Sequence, residues 1–224
     1  MRKRTLIAAL LFMVAGILTL VTAASIRRRE AGGIETIVLP PSAEARVPGD
    51  GSDWLTEYTL TERSGRKFSS QQLDGTVHVV NFFFAACPTV CRLQNGRVHE
   101  LADEFGKEGI VFLSITCDPT NDTPASLQNY AKLFNADPDD WLFLTSTDLT
   151  YLRRVGAEVY SLPVEEQVHS ERLVVVDRWG TVRGRFHWNE PEEIGEMRQM
   201  LGDLLSETEP PVEVESPAVA VDGA

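Results

Sequence analysis

The chain has 224 residues, with 33 acidic against 21 basic side chains and a formal net charge of −12. Hydrophobic residues make up 43% and charged residues 24%, which excludes a fibrous or disordered protein and leaves room for one globular domain with extensions. Residues 1–29 hold six cations and no acid, so the rest carries 15 cations against 33 acids, a balance of −18. So acidic a body excludes nucleic-acid binding, which rests on basic groups that release counterions.

Residues 5–24 (TLIAALLFMVAGILTLVTAA) contain no charge. As a helix rising ~1.5 Å per residue they would span about 30 Å, the thickness of a bilayer core. Arg2, Lys3 and Arg4 precede the run. It exceeds the roughly 7–15 apolar residues of a cleaved signal peptide. Residues 1–24 therefore read as an uncleaved signal anchor, with a cleaved signal peptide as the alternative. Arg27, Arg28 and Arg29 nearly balance the first cluster, so charge alone does not orient the segment. Residues 25–50, rich in Pro, Gly and charge, read as a linker. Residues 206–224 carry five acids, three prolines and no cation, and read as a disordered acidic tail.

Between them, residues 51–205 alternate strand and helix signals. Residues 77–85 (VHVVNFFFA) form a continuous apolar, β-branched and aromatic run, the pattern of a strand buried on both faces. A helix comes next, with Val98, Leu101, Ala102 and Phe105 on one face and Gly106 placed to stop it. Residues 109–116 form a second buried strand. Thr123 and Pro124 open a second helix, as N-cap and first position. A short strand at 141–145 and a short helix at 148–155 lie beyond it. Residues 172–177 and 181–188 make a hairpin, and 190–205 a closing helix. The order predicts an α/β, thioredoxin-like fold, a central mixed sheet with flanking helices, in which the first two strands are parallel neighbours.

Cys87 and Cys91, in the segment CPTVC, lie between the first strand and its helix. Three cysteines are too few for a disulfide scaffold, so this pair calls for a chemical reading. With Cys87 at the helix cap and Pro88 at the first position, the helix N-terminus favours a Cys87 thiolate. On a regular helix residues four apart have Cβ atoms about 5–6 Å apart, wider than the ~3.5–4.5 Å of a disulfide. The spacing leans toward a metal and leaves redox exchange open.

Two thiolates hold Cu(I), and a third donor would make a firmer site. The expected strand at 172–177 runs antiparallel beside 77–85, so its start meets the cysteine end, and His169 lies just before it. The other histidines fit less well. His99 is about 12 Å up the helix from Cys91, His78 is at the far end of its strand, and His187 is expected to face solvent. Cys117 ends the second strand and reads as a core residue, with a fourth ligand or an alternative disulfide partner as the other possibilities. A Cys3His set would also suit zinc.

Residues 80–91 (VNFFFAACPTVC), 114–124 (SITCDPTNDTP) and 169–184 (HSERLVVVDRWGTVRG) together resemble the Sco/SenC family. These are membrane-anchored, thioredoxin-like copper proteins that help assemble the copper A centre of cytochrome c oxidase. The resemblance covers about residues 51–205. It implies copper, as Cu(I) and also Cu(II), on Cys87, Cys91 and His169, and a redox-active dithiol of Cys87 and Cys91. It further implies a cytoplasmic N-terminus in the cell (inner) membrane, an extracytoplasmic domain (periplasmic in a Gram-negative bacterium), and a copper-accepting oxidase subunit as partner. The sequence departs from the family pattern at Thr89 (often Asp), Arg92 (often Pro), Cys117 (often Val or Ile) and Val168 (often Asp). The resemblance is compatible with two functions: a copper-delivering assembly factor, or a thiol-disulfide oxidoreductase acting on client cysteines. A histidine ligand favours the first.

The uncharged run at 5–24 generates the first test. Full-length protein should sediment with membranes and resist alkaline extraction. A soluble form beginning near Ala24 would instead identify a cleaved signal.

Overall fold

The computed structural model describes residues 54–168 and 170–211. The expected anchor, the linker, most of the acidic tail and His169 lie outside those residues. Among the described residues no helix is long and apolar enough to cross a membrane.

An N-terminal hairpin opens the domain. β1 (Thr59–Glu62) pairs antiparallel with β2 (Lys67–Ser69), and Gly65 turns the chain at φ 85°. The sequence does not announce this hairpin, because both strands are short and charges stand between Leu60 and Phe68. The remaining strands are β3 (His78–Phe83), β4 (Val111–Thr116), β5 (Trp141–Thr145), β6 (Arg172–Val176) and β7 (Val182–His187). They form one seven-stranded sheet in the order β2-β1-β5-β4-β3-β6-β7. The central β3, β4 and β5 are parallel, while β6 lies antiparallel on β3 with Val80 opposite Val174. This is the mixed thioredoxin-like sheet that the element order predicts.

Alternation along β3 and β4 divides the core in two. Val79, Phe83 and Phe112 face a layer built from α1 (Val90–Phe105), α2 (Pro124–Ala131) and α4 (Pro191–Ser206). Val80, Phe82, Leu113 and Ile115 face the other side, against α3 (Leu149–Arg154), Tyr58 and Tyr160. With strands buried on both faces, apolar burial at about 25 cal/mol per Å² is the dominant stabilising term.

Two helix starts are set by capping side chains. Thr123 accepts a hydrogen bond from Ser126 N (3.3 Å) ahead of Pro124 in α2, and Asp148 accepts from Thr150 N (2.8 Å) at α3. Beyond α3 the helix widens into a π turn, Val155–Val159. Gly156 is required there, because a Cβ would lie 2.3 Å from Val164 Cγ2 and 2.7 Å from Leu162 O. Leu162 N donates to Gly156 O (2.8 Å), so the chain after the π turn folds back onto it.

At the N-terminal end of β3, His78 is buried beside Tyr160, with ring centroids 6.3 Å apart and Nδ1 3.2 Å from Thr76 O. Burial pushes its pKa down to about 4 from an ordinary 6.5, against weaker upward pulls from Thr76 and Asp177. The folded state therefore holds His78 neutral where the unfolded chain is protonated. Stability from this group is complete above pH 6.5 and is lost as pH falls toward 4, by up to ~3 kcal/mol. Denaturant titrations across that range should show the loss, and His78→Phe should flatten it. An NMR titration placing the His78 midpoint near 6.5 would sink the account.

Candidate metal or redox centre

Parallel pairing of β3 and β4 is in register to their ends, Phe83 opposite Thr116. Both strands therefore deliver the residues beyond their C-terminal ends to one edge of the sheet, where open α/β sheets bind ligands. Cys87 lies just past β3 and Cys117 just past β4. β6 begins at the same edge, preceded by the loop 165–170.

The cysteine turn differs from the sequence expectation. α1 starts at Val90, with Thr89 as N-cap and no side-chain cap bond. Cys87 N instead closes a turn on Phe84 O (3.2 Å), and the first backbone bond of α1 is Leu93 N to Thr89 O (3.1 Å). Cys87 is thus two residues ahead of the N-cap, and regular i, i+4 spacing does not govern the pair. Cys91 N donates to Cys87 Sγ at 3.4 Å. The separation argument for a metal over a disulfide falls away. Both sulfurs are free and close enough to serve either chemistry.

The pair is asymmetric. Burial alone would raise Cys87, but the N–H groups of Cys91, Thr89 and Val90 and the Cys91 thiol outweigh it, and the pKa falls below the usual thiol value. This is the expected effect of a helix N-terminus on an adjacent thiolate. Cys91 is fully enclosed, and burial, with the Cys87 charge added, pushes it up to about 12.

Cys117 belongs to the other core layer, with Ile115 and Leu113. Its Sγ donates to Val168 O (3.5 Å), and burial pushes its pKa up to about 12, with Asp122 adding. This is the environment of a structural thiol. Among the described residues no three His, Cys, Asp or Glu side chains converge as a metal site, and His169 lies outside them. Its neighbours are held on both sides: Gln167 N donates to Cys117 O (3.4 Å), and Ser170 O accepts from Gln94 Nε2 (2.6 Å). His99 stacks on Trp141 and sits 3.6 Å from Asp103, and His78 is at the opposite end of the sheet. His187 does not face solvent as expected. It is half-buried in β7, with Nε2 2.9 Å from Glu171.

Two aspartates of the segment 114–124, to which the sequence reading assigns no role, organise this edge. Asp122 Oδ2 accepts from Ala85 N (3.0 Å) and from Thr116 Oγ1 (2.6 Å), fixing the chain just before Cys87. Asp118 accepts from Asn121 Nδ2 and from Gln167 Nε2 (3.1 Å), fixing the loop before His169. Buried carboxylates need such donors. The available signal is the position of two aspartates immediately after a fully buried strand.

The thiol asymmetry has a direct test. In reduced, metal-free protein at neutral pH, iodoacetamide should modify Cys87 at least about tenfold faster than Cys91 or Cys117. Equal rates, read by mass spectrometry of peptides, would remove the asymmetry.

The sequence profile of the SCO1/SenC family matches residues 48–203. The SCO2-like protein of Rickettsia conorii is 29% identical over 98 residues, 43% of this chain and 48% of that protein. The chain thus spans about half the length of this curated relative. Among solved structures, Bradyrhizobium japonicum ScoI with copper bound superposes with a TM-score of 0.55 at 24% identity, over 66% of this chain and 97% of that one. BsSco, a member of the Sco family of cytochrome c oxidase assembly proteins with a disulfide switch, superposes with a TM-score of 0.60 at 22% identity, over 70% and 98%. At these identities the superpositions establish the fold, and the profile establishes the lineage. The chain belongs to the SCO1/SenC family.

Proposed function

We propose that this protein binds copper through Cys87, Cys91 and His169 and delivers it to a copper-accepting subunit of a membrane-bound cytochrome c oxidase. The carrying observation is the pair of free thiols at the sheet edge, joined by the Cys91 N–H on Cys87 Sγ, with Cys87 acidified by backbone amides. Soft thiolates suit Cu(I), and backbone amides that lower the Cys87 pKa favour its thiolate as a ligand. Cys91 must give up its proton when a metal binds, so loading releases protons. The copper-bound state of Bradyrhizobium ScoI supports the choice of metal. Tethering by residues 1–24 in the inner membrane, N-terminus in the cytoplasm and domain in the periplasm, completes the reading. The anchor would keep the sheet edge near its membrane partner.

The same asymmetry favours a second reading, reduction of client disulfides. The Cys87 thiolate attacks one client sulfur, the client S–S bond breaks, and a mixed disulfide forms. Cys91 then loses its proton and attacks the Cys87 sulfur. The client leaves as a dithiol, and Cys87 and Cys91 are left as a disulfide, two electrons having passed to the client. A reduced pair is also what copper requires, so the two activities would be successive uses of one site.

His169→Ala separates them. Losses of groups that merely orient a ligand cost roughly 10–100-fold in metal affinity, so losing a ligand should cost at least that. Thiol exchange by Cys87 and Cys91 should be unchanged, and oxidase activity in cells without added copper should fall. Wild-type copper affinity in His169→Ala would eliminate the three-ligand site. Intact oxidase assembly with weakened copper would leave the reductase reading alone.

A further inference from the structure

α1 presents one buried stripe: Cys91, Gln94, Asn95, Val98, Leu101, Ala102 and Phe105. Two of its members are amides, and both are fully buried. Asn95 belongs to the interior of the fold. Its Oδ1 accepts from Asn81 Nδ2 (3.1 Å) and its Nδ2 donates to Tyr130 Oη (3.2 Å). Gln94 reaches outward from the same helix. Its Nε2 donates to Ser170 O at 2.6 Å, while its Oε1 lies 3.4 Å from Asn81 Nδ2. A buried amide is costly unless paired, and here a backbone carbonyl in a loop supplies the partner.

Ser170 comes directly after His169, and the residues before the histidine are held from the other side. Gln167 occupies the left-handed region at φ 55°, uncommon for a residue other than glycine. Its N–H donates to Cys117 O and its side chain to Asp118. Val168 O accepts from Cys117 Sγ. The loop is therefore pinned to the β4 end at 167–168 and to the cysteine helix at 170.

We infer that Gln94 is a positioning residue for His169, binding the loop that carries the histidine to the helix that carries Cys91. This rests on the copper reading given above. Gln94 touches no metal. Its bond to Ser170 O ties the residue after the histidine to α1, one helical turn from Cys91. Without it, three donors would have to be gathered from two independently moving segments, and the cost of ordering them would reduce metal affinity.

The test compares full-length Gln94→Met, which keeps the length and loses the donor, with Ser114→Ala. Ser114 joins the same buried network through Asn81 and Trp141 but does not touch the loop. Amide hydrogen exchange on metal-free protein should quicken at least about tenfold across residues 165–171 in Gln94→Met and stay at the wild-type rate there in Ser114→Ala. Cu(I) competition titration should show roughly a 10–100-fold loss in Gln94→Met, with alkylation of Cys87 unchanged. In the double variant with His169→Ala, copper affinity should equal that of His169→Ala alone, since groups acting through one another are not additive. An undiminished further loss in the double variant would falsify the positioning role. So would loop exchange rising equally in Ser114→Ala. If wild type and His169→Ala bind Cu(I) equally, the copper reading fails, while the exchange data still decide whether Gln94 holds the loop.

Discussion

Asn81 is an amide placed in the middle of a strand whose neighbours are Val and Phe, and it has to be paired where water cannot reach. Much of the first core layer is arranged around that demand. Asn95 on α1 and Ser114 on β4 meet it, Trp141 Nε1 on β5 donates to Ser114 Oγ (2.9 Å), and Tyr130 on α2 closes the far side. Three parallel strands and two helices are thus tied by directional bonds inside an apolar layer. Apolar packing alone would tolerate a helix that slides or rotates by a few degrees. A satisfied polar network does not, because each misplacement strands a donor at a cost of about 1–3 kcal/mol. The helix that carries Cys91 is held in one register, and Cys91 is the next member of its buried stripe.

The chemistry of the edge is set by how unequally the two thiols are enclosed. Cys87 sits ahead of α1, where N–H groups without helical partners converge on its sulfur. Cys91 lies inside the stripe and meets mostly apolar neighbours. One sulfur is prepared as a nucleophile or soft ligand, and the other keeps its proton until something displaces it. Asp122 steadies the approach to Cys87 through Ala85 N, and Asp118 steadies the loop on the far side. The carboxylates act here as anchors for backbone and amide groups, which is why they lie buried behind the thiols.

Much of this is legible in the residues. Buried runs and capping signals locate β3, β4 and both long helices, and antiparallel pairing of β6 on β3 brings the loop before Arg172 to the cysteines. The short hairpin of β1 and β2 has too few alternations to read. The helix start is ambiguous in sequence because Pro88 is acceptable both at a first helical position and in a turn, and only the Cys87 N to Phe84 O bond decides between them. Gln94 and Asn95 are legible in principle. Extending the stripe of Val98, Leu101, Ala102 and Phe105 back by seven residues lands on Cys91, Gln94 and Asn95. A search for apolar residues discards amides that share the face. Asp118 and Asp122 need the fold, since nothing local says that a carboxylate will meet an N–H 37 residues away.

The π turn after α3 bears on which lengths of chain this fold tolerates. Such a turn is the trace of one extra residue accommodated within a helix, and here it sits between the second core and the loop that returns to the cysteine edge. The chain is fastened at Gly156 by Leu162 N and again at Cys117 by Gln167 N. Between those two fastenings the segment acts as a ruler with no slack to absorb a lost or gained residue. Removing one residue from Val155–Val159 would restore an ordinary helix and shift every later fastening by one place. Natural variation in length should therefore avoid this stretch.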